Sequence, residues 1–295
     1  MPEAPLRVLV DDLVFPECPR WRDGRLWFSD MYDHRVWSAT EDGTKGLVVE
    51  VPNQPAGLGW LPDGTMLVVS MTDRRLMRLE GQDLVEVADL TPFASFHCND
   101  MVVDEMGRAY VGNFGFDFAA GAEPTGTTLV CVEPDGEAWV VVEQLLFPNG
   151  CVITPDGATL VVAESYGQRL SAYDINKDGS LANSRIWADL RPNVPDGICI
   201  DAESGVWVAD PVNRGVIRVT EGKGAVDWIS TGERRPYACA LGGSDGHTLF
   251  VCTADSSIPA KAIEGRAGRI EVTRVEVPMA GYVEPDEGES DAEAA

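Results

Sequence analysis

Four oxygen-bearing side chains, Glu17, Asn99, Asn149 and Asp196, each open a near-copy of one short segment. A turn glycine follows each after a similar interval: Gly24, Gly107, Gly157 and Gly205. Two further copies keep the interval but open on Ala56 and Tyr237, with turn glycines at Gly64 and Gly246. Asn, Asp and Glu are poor strand residues, and Asn and Asp are good turn formers, so any one of them is explained by its local turn. Four in register across separate copies ask for more. Gathered in one pocket, such groups cost free energy unless paired or bound to a cation. Two carboxylates and two amide oxygens suit a hard divalent ion such as Ca²⁺ or Mg²⁺. No thiolate or imidazole holds the opening slot, which argues against a closed structural zinc site.

The elements that would gather them follow from the repeat. The copies read ECPRWRDGRLWFSD, AGLGWLPDGTMLVVS, NDMVVDEMGRAYVGN, NGCVITPDGATLVVAE, DGICIDAESGVWVAD and YACALGGSDGHTLFVCTAD. Opening slot to glycine is 7 to 9 residues, and one opening slot to the next is 39 to 50. Each copy is a short apolar run, a glycine turn and a second run, which is the pattern of a β-hairpin. A third run follows (RVWSATEDG, RLMRLEGQ, TLVCVEPDG, RLSAYDINKDG, VIRVTEGKG), and a fourth is visible as GLVVEVP, DLVEVADL, AWVVVEQLL and AVDWIS. A period of this length fits four-stranded blades, whereas a β-helix or leucine-rich solenoid repeats faster. The expected fold is all-β: a six-bladed β-propeller over residues 1–280, whose innermost strands carry the opening slots around a central metal-containing channel. Either IEVTRVEVP (270–278) or LRVLVDDL (6–13) should complete a blade shared by the two ends of the chain.

Composition narrows the function. The chain has 295 residues, 44% of them hydrophobic, and a formal charge of −25. Such acidity argues against DNA, RNA or an anionic membrane as partner, because phosphate recognition needs clustered Lys and Arg. Part of the charge lies in residues 281–295, an acidic stretch without an apolar pattern that is expected to be disordered. The seven cysteines form no CxxC pair. No signal-peptide core opens the sequence and no run of about 18 apolar residues is present, so a cytoplasmic protein with free thiols is expected. The sequence leaves open a monomer or a small homo-oligomer. No nucleophile elbow, Walker loop or dinucleotide fingerprint occurs.

Four motifs, PECPRW (16–21), CND followed by VD (98–104), FPNGCVITPDG (147–157) and VPDGICIDAESGVWVAD (194–210), together resemble the regucalcin-like, gluconolactonase or senescence-marker-protein family of six-bladed propellers. The resemblance spans roughly residues 6 to 280. It implies one divalent metal held by Glu17, Asn149 and Asp196, with Ca²⁺ the first expectation and Mg²⁺, Mn²⁺, Zn²⁺ or Fe²⁺ the others. It also implies lactone hydrolysis, with Asp196 as the base. Asn99 is then a further ligand or a substrate contact, and Asp100 beside it is expected to bind the substrate as well. Family members acting on sugar lactones commonly place Arg two residues before the Asn of the third copy; this chain has His97. A histidine there is either a packing residue or a substrate donor titrating near neutrality.

Two long connections interrupt the repeat. Gly115–Thr125 carries Phe116 and Phe118, and reads either as a surface loop or as a rim over the central pocket. With His97 it suggests a lactone or ester less polar than gluconolactone, with Phe116 in contact. Ser256–Gly268 reads as loop rather than site. Besides lactone hydrolysis, the same site could act on another ester or a phosphotriester, or the propeller could bind calcium or another ligand without catalysis.

Overall fold

The computed structural model describes residues 6–281, and the acidic stretch expected to be disordered lies outside the described residues apart from Gly281. Among the described residues, twenty-four strands form six four-stranded antiparallel sheets. The first blade is β2 (Pro16–Arg22), β3 (Arg25–Asp30), β4 (Arg35–Ala39) and β5 (Lys45–Glu50), from axis to rim. The next is β6 (Pro55–Trp60) to β9 (Asp83–Asp89), followed by β10 (Cys98–Val103) to β13 (Ala138–Leu145). Then come β14 (Pro148–Ile153) to β17 (Leu181–Asp189) and β18 (Ile198–Ile200) to β21 (Ala225–Ser230). The last blade runs β22 (Arg235–Gly242), β23 (Thr248–Ala254) and β24 (Gly268–Arg274), with β1 (Arg7–Leu13) outermost. Innermost strands touch in the closed sequence β2, β6, β10, β14, β18, β22 and back to β2, which is the propeller expected from the repeat.

Both terminal candidates are used in closure. β24 is third in the last blade, and β1 pairs with it antiparallel, Arg7 opposite Val272 and Leu13 opposite Gly268. The blade is therefore three strands from one end of the chain and one from the other.

Burial explains the wording of the repeat. The second strands, such as MLVVS of β7 (Met66–Ser70) and TLVVAE of β15 (Thr159–Glu164), are buried along their whole length between neighbouring blades. Strands buried on both faces read as continuous apolar runs rather than alternation. The outermost β21 is exposed at all but one position. Several tryptophans pack between blades as expected: Trp21 stacks on Phe250 at 5.3 Å, and Trp27 meets Trp60 edge-on at 5.7 Å. Trp228 on β21 is partly exposed instead.

The second strands also end on buried polar side chains that tie down the loops above them. Asp30 accepts hydrogen bonds from the backbone N–H groups of Val14 and Phe15, Glu164 from that of Leu146, and Asp210 from those of Val212 and Asn213. The first two of these segments lead into the innermost strands β2 and β14, and the third joins β19 (Val206–Asp210) to β20 (Gly215–Val219). Among the described residues, no helix is long and apolar enough to cross a membrane.

Candidate functional site

The opening slots owe their orientation to bulges. In five blades the register between first and second strand breaks at the slot: between Glu17 and Arg20, Pro55 and Leu58, Cys98 and Met101, Pro148 and Cys151, and Pro236 and Ala238. A bulge leaves a residue out of the ladder and re-aims its side chain. In the remaining blade β18 begins only at Ile198, and the slot is held by Asp196 N–H donating to the Ala209 carbonyl at 2.9 Å. The glycine after the slot does different work from a turn glycine. Gly150 N–H donates to the carbonyl of Asp196 at 3.2 Å, and Gly197 N–H to that of Tyr237 at 2.7 Å, each the opening residue of the next blade. A Cβ on Gly150 would sit 2.4 Å from the Ile198 nitrogen, so the strands meet at the axis only because no side chain stands there. Asn-Gly and Asp-Gly here are joints of the ring, not hairpin turns.

Glu17, Asn99, Asn149 and Asp196 all line one cavity of about 730 Å³ at one mouth of the ring. Asn99 Nδ2 donates to Asn149 Oδ1 at 3.2 Å, and Asn149 Nδ2 donates to Ser165 Oγ at 3.2 Å. The Ser165 hydroxyl donates in turn to the Pro195 carbonyl at 2.7 Å, which fixes the orientation of the Asn149 amide. Glu17 Oε2 accepts from Cys18 N–H at 3.0 Å. Burial pushes the Asp196 carboxyl up to about 8, with Asp100 and Asp210 adding to the rise and the Asn149 amide opposing it. Glu17 is raised well above the ordinary carboxylate range, first by burial and then by Asp196.

This electrostatic picture tests whether a metal suits the residues present. Two buried carboxylates destabilise one another, and the cation bearing on Glu17 is Arg20, already committed to Asp100. Among the described residues, no group of three or more His, Cys, Asp or Glu gathers as a metal cluster. An ion at this floor would therefore draw on amide oxygens alongside two carboxylates, a donor set of hard oxygens that fits Ca²⁺ or Mg²⁺.

The other expected site residues fall in different places. Asp100 follows its slot into the channel, where it accepts from Arg20 Nη2 at 2.6 Å and from Met101 N–H at 2.8 Å; it does not line the cavity. Successive strand residues point to opposite faces, and this takes Asp100 away from the mouth. His97 is also absent from the lining. Its ring stacks on Phe96 at 4.1 Å and tilts toward Phe114 at 6.3 Å, and burial lowers its pKa. Phe116 is buried edge-on to Phe147 and Tyr166 and supports the wall without forming it; Phe118 is the loop residue that lines the cavity. Cys98 is pushed up to about 12 by burial, far from a nucleophile.

Two contributions were not anticipated. The Ser256–Gly268 connection forms a short helix, α1 (Pro259–Gly265), and lines the cavity through Ser256, Ser257, Ile258, Lys261 and Ala262, so its reading as loop rather than site is corrected. Tyr32 Oη donates to the Ser257 carbonyl at 2.9 Å and ties this segment to the first blade. The second contribution is a ring two residues before the opening slots: Phe15, Gln54, His97, Phe147, Val194 and Arg235. Four of these, Phe15, Phe147, Val194 and Arg235, line the cavity. The same register that aligned the opening slots would have revealed them.

Comparison with known proteins agrees with this architecture. The chain is 24% identical over 281 residues to a 6-deoxy-6-sulfogluconolactonase of Pseudomonas putida, covering 92% of this chain and 94% of that protein. It is 27% identical over 259 residues to regucalcin of Xenopus laevis, covering 84% and 85%. A crystal structure of a calcium-binding protein, regucalcin, from Agrobacterium tumefaciens superposes with a TM-score of 0.78 at 19% identity, covering 95% and 98%, and shares the fold. Residues 15–255 match the model of the SMP-30/gluconolactonase/LRE-like region, and the chain is a member of that family.

Proposed function

We propose that this protein is a divalent-metal-dependent hydrolase that opens a lactone ring, with Glu17, Asn149 and Asp196 holding the ion. The observation that carries this reading is the convergence of these side chains with Asn99 on the floor of one cavity. The lactonase among its relatives supports the bond type. When bound, the cation supplies Lewis-acid polarisation of the ester carbonyl.

The chain's own residues supply the rest. Asp196 takes a proton from the attacking water; burial alone lifts this carboxyl to about 8, and a neighbouring cation would favour the ionised form that the role requires. As the water oxygen bonds to the carbonyl carbon and the ring C–O bond breaks, the proton passes from Asp196 to the leaving alkoxide, giving a hydroxy acid. Asn149 is locked in orientation by Ser165, and Asn99 by Asn149 and by the Pro148 carbonyl at 3.4 Å. The apolar walls keep bulk water from the reacting carbonyl, which strengthens every charge interaction at the floor. All seven cysteines are free, in keeping with a reducing compartment.

The test is a lactone panel at pH 7 with chelator-treated protein, followed by addition of Ca²⁺, Mg²⁺, Mn²⁺, Zn²⁺ or Fe²⁺. Turnover that disappears with the metal and returns with one of these ions is expected. Absence of turnover on every lactone would defeat the hydrolase reading. Tight ion binding in that case would favour a noncatalytic calcium-binding propeller, in keeping with the calcium-binding regucalcin of Agrobacterium tumefaciens.

A further inference from the structure

We infer that the cavity selects a lactone whose ring carries a sizeable apolar substituent, aryl or alkyl, over a polyhydroxylated sugar lactone. The inference rests on the hydrolase reading for the bond that is broken, and on the walls for what surrounds it.

Phe147, two residues before the ligand Asn149, stacks face to face on Phe114 at 4.6 Å and 9°. Phe118 meets it edge-on at 5.6 Å, and Tyr166 tilts against it at 5.5 Å. All four line the cavity. Phe114 and Phe147 are buried, but Phe118 is half-buried and Tyr166 is 49% exposed, so this wall presents open aromatic surface rather than closed core. The facing wall repeats the chemistry. Phe15, two residues before the ligand Glu17, stacks on Tyr32 at 4.8 Å and packs against Tyr237 at 4.6 Å.

Three polar groups on these walls are already engaged, and the remaining polar lining, Asp255, Ser256 and Lys261, lies to one side on the segment leading into α1 and on α1 itself. Ser165 donates to the Pro195 carbonyl, Tyr32 to the Ser257 carbonyl, and Arg235 Nη1 to the Pro211 carbonyl at 2.8 Å. A sugar lactone brings a hydroxyl on almost every carbon, and each one buried without a partner loses its hydrogen bonds to water. An aryl or alkyl group loses none and gains from every square ångström it removes from water. Aromatic faces also offer stacking geometry to an aryl substituent.

The experiment uses calcium-loaded full-length protein and two pairs of probes. Turnover is compared between 6-phenyl-δ-valerolactone and D-glucono-1,5-lactone, and binding between the corresponding unreactive lactams by titration calorimetry. We expect the phenyl probe to lead by about 10-fold or more in kcat/KM and in affinity. The double variant Phe118→Ala/Tyr166→Ala, which alters two partly exposed side chains, should cut phenyl-lactam affinity about 10-fold and leave the thermal midpoint nearly unchanged. Equal or better turnover or binding of the sugar probes would overturn the inference, as would a double variant that folds and binds the phenyl lactam as well as the parent. If neither lactone is turned over, the hydrolase reading is decided by the wider lactone panel, and the lactam titration by itself still upholds or overturns the apolar preference.

Discussion

Replacing Gly197 with alanine tests how the ring places Asp196. A methyl group there would lie 2.4 Å from Ala238 Cβ, 2.7 Å from its Cα and 3.0 Å from the Tyr237 carbonyl oxygen. Carbon atoms pack at about 3.5–4.0 Å, so the neighbouring blade must retreat by about 1 Å at the axis. The obstacles are backbone and Cβ atoms, which cannot rotate away. Overpacking of this kind costs about 1–3 kcal/mol. Stretching the 2.7 Å bond from Gly197 N–H to Tyr237 adds about 1 kcal/mol. A loss of about 2–4 kcal/mol follows, or about 3–7 °C in thermal midpoint at an unfolding entropy of about 2.1 cal/mol/K per residue. Because Asp196 precedes the displaced joint, cation affinity should fall as well. Urea unfolding gives the first quantity and a cation titration of the thermal midpoint the second. Gly46→Ala, in the outermost strand of its blade with nothing within 4 Å of the added methyl, is the control and should be close to neutral. A Gly197→Ala protein within about 0.5 kcal/mol of the parent, with unchanged cation affinity, would refute the idea that these glycines set the ring.

Asp196→Asn should lower lactone turnover by about 10²–10⁴-fold, the usual scale of a lost general base. Its metal-free urea midpoint should not fall, since the change removes a buried carboxylate; a folded variant with parental turnover would exclude Asp196 as base. Arg20→Met leaves Asp100, whose side chain is 3% exposed, without its partner, and should cost about 3–5 kcal/mol in urea unfolding. Adding Asp100→Asn should recover much of that loss, and a single variant as stable as the parent would show that the pair does not hold the channel. Asp245 is drawn down to about 2 by Arg274, so its contribution is present above the ordinary carboxylate range and fades as pH falls toward 2. Both partners are about half exposed, so Asp245→Asn should cost less than about 1 kcal/mol at pH 6 and nothing near pH 2. A cost that grows on acidification would contradict that sign.

The blades were legible because each hairpin announces itself through a glycine that needs a left-handed backbone. Five turn glycines, Gly24, Gly64, Gly107, Gly157 and Gly246, have φ between +71° and +89°. Gly205 is the exception, for in its turn Ser204 takes the positive φ instead. The opening slots were legible by alignment alone, since register survives where geometry does not. Bulges were invisible: nothing in PNGCV announces a break between Pro148 and Cys151, yet that break is what aims Asn149. Adjacency misled in the case of Asp100, which shares a strand with Asn99 and turns to Arg20. His97 and Phe116 were marked by chemical type, and both proved to support the wall from outside the cavity. The segment SSIPAKAIEGRAG has too little periodicity to show a seven-residue helix, so its part in the cavity emerged only when the last blade closed beside the first.

The pairing of β1 with β24 joins residues more than 250 positions apart in the chain. During synthesis, β1 leaves the ribosome long before β24, and so waits longest among the described strands for its neighbour. Until β24 emerges, β1 carries an unpaired edge, and the ring holding Glu17 and Asp196 cannot be drawn tight. A closure of this range is entropically costly and slow to nucleate, although the cost grows only with the logarithm of the length spanned. Once latched, the ring is joined through a strand pair rather than a peptide bond at that seam. The same circle could be opened elsewhere, at any turn between blades, with the old ends joined by a short linker. Such a permuted chain would keep its site and exchange only the order in which its blades are made.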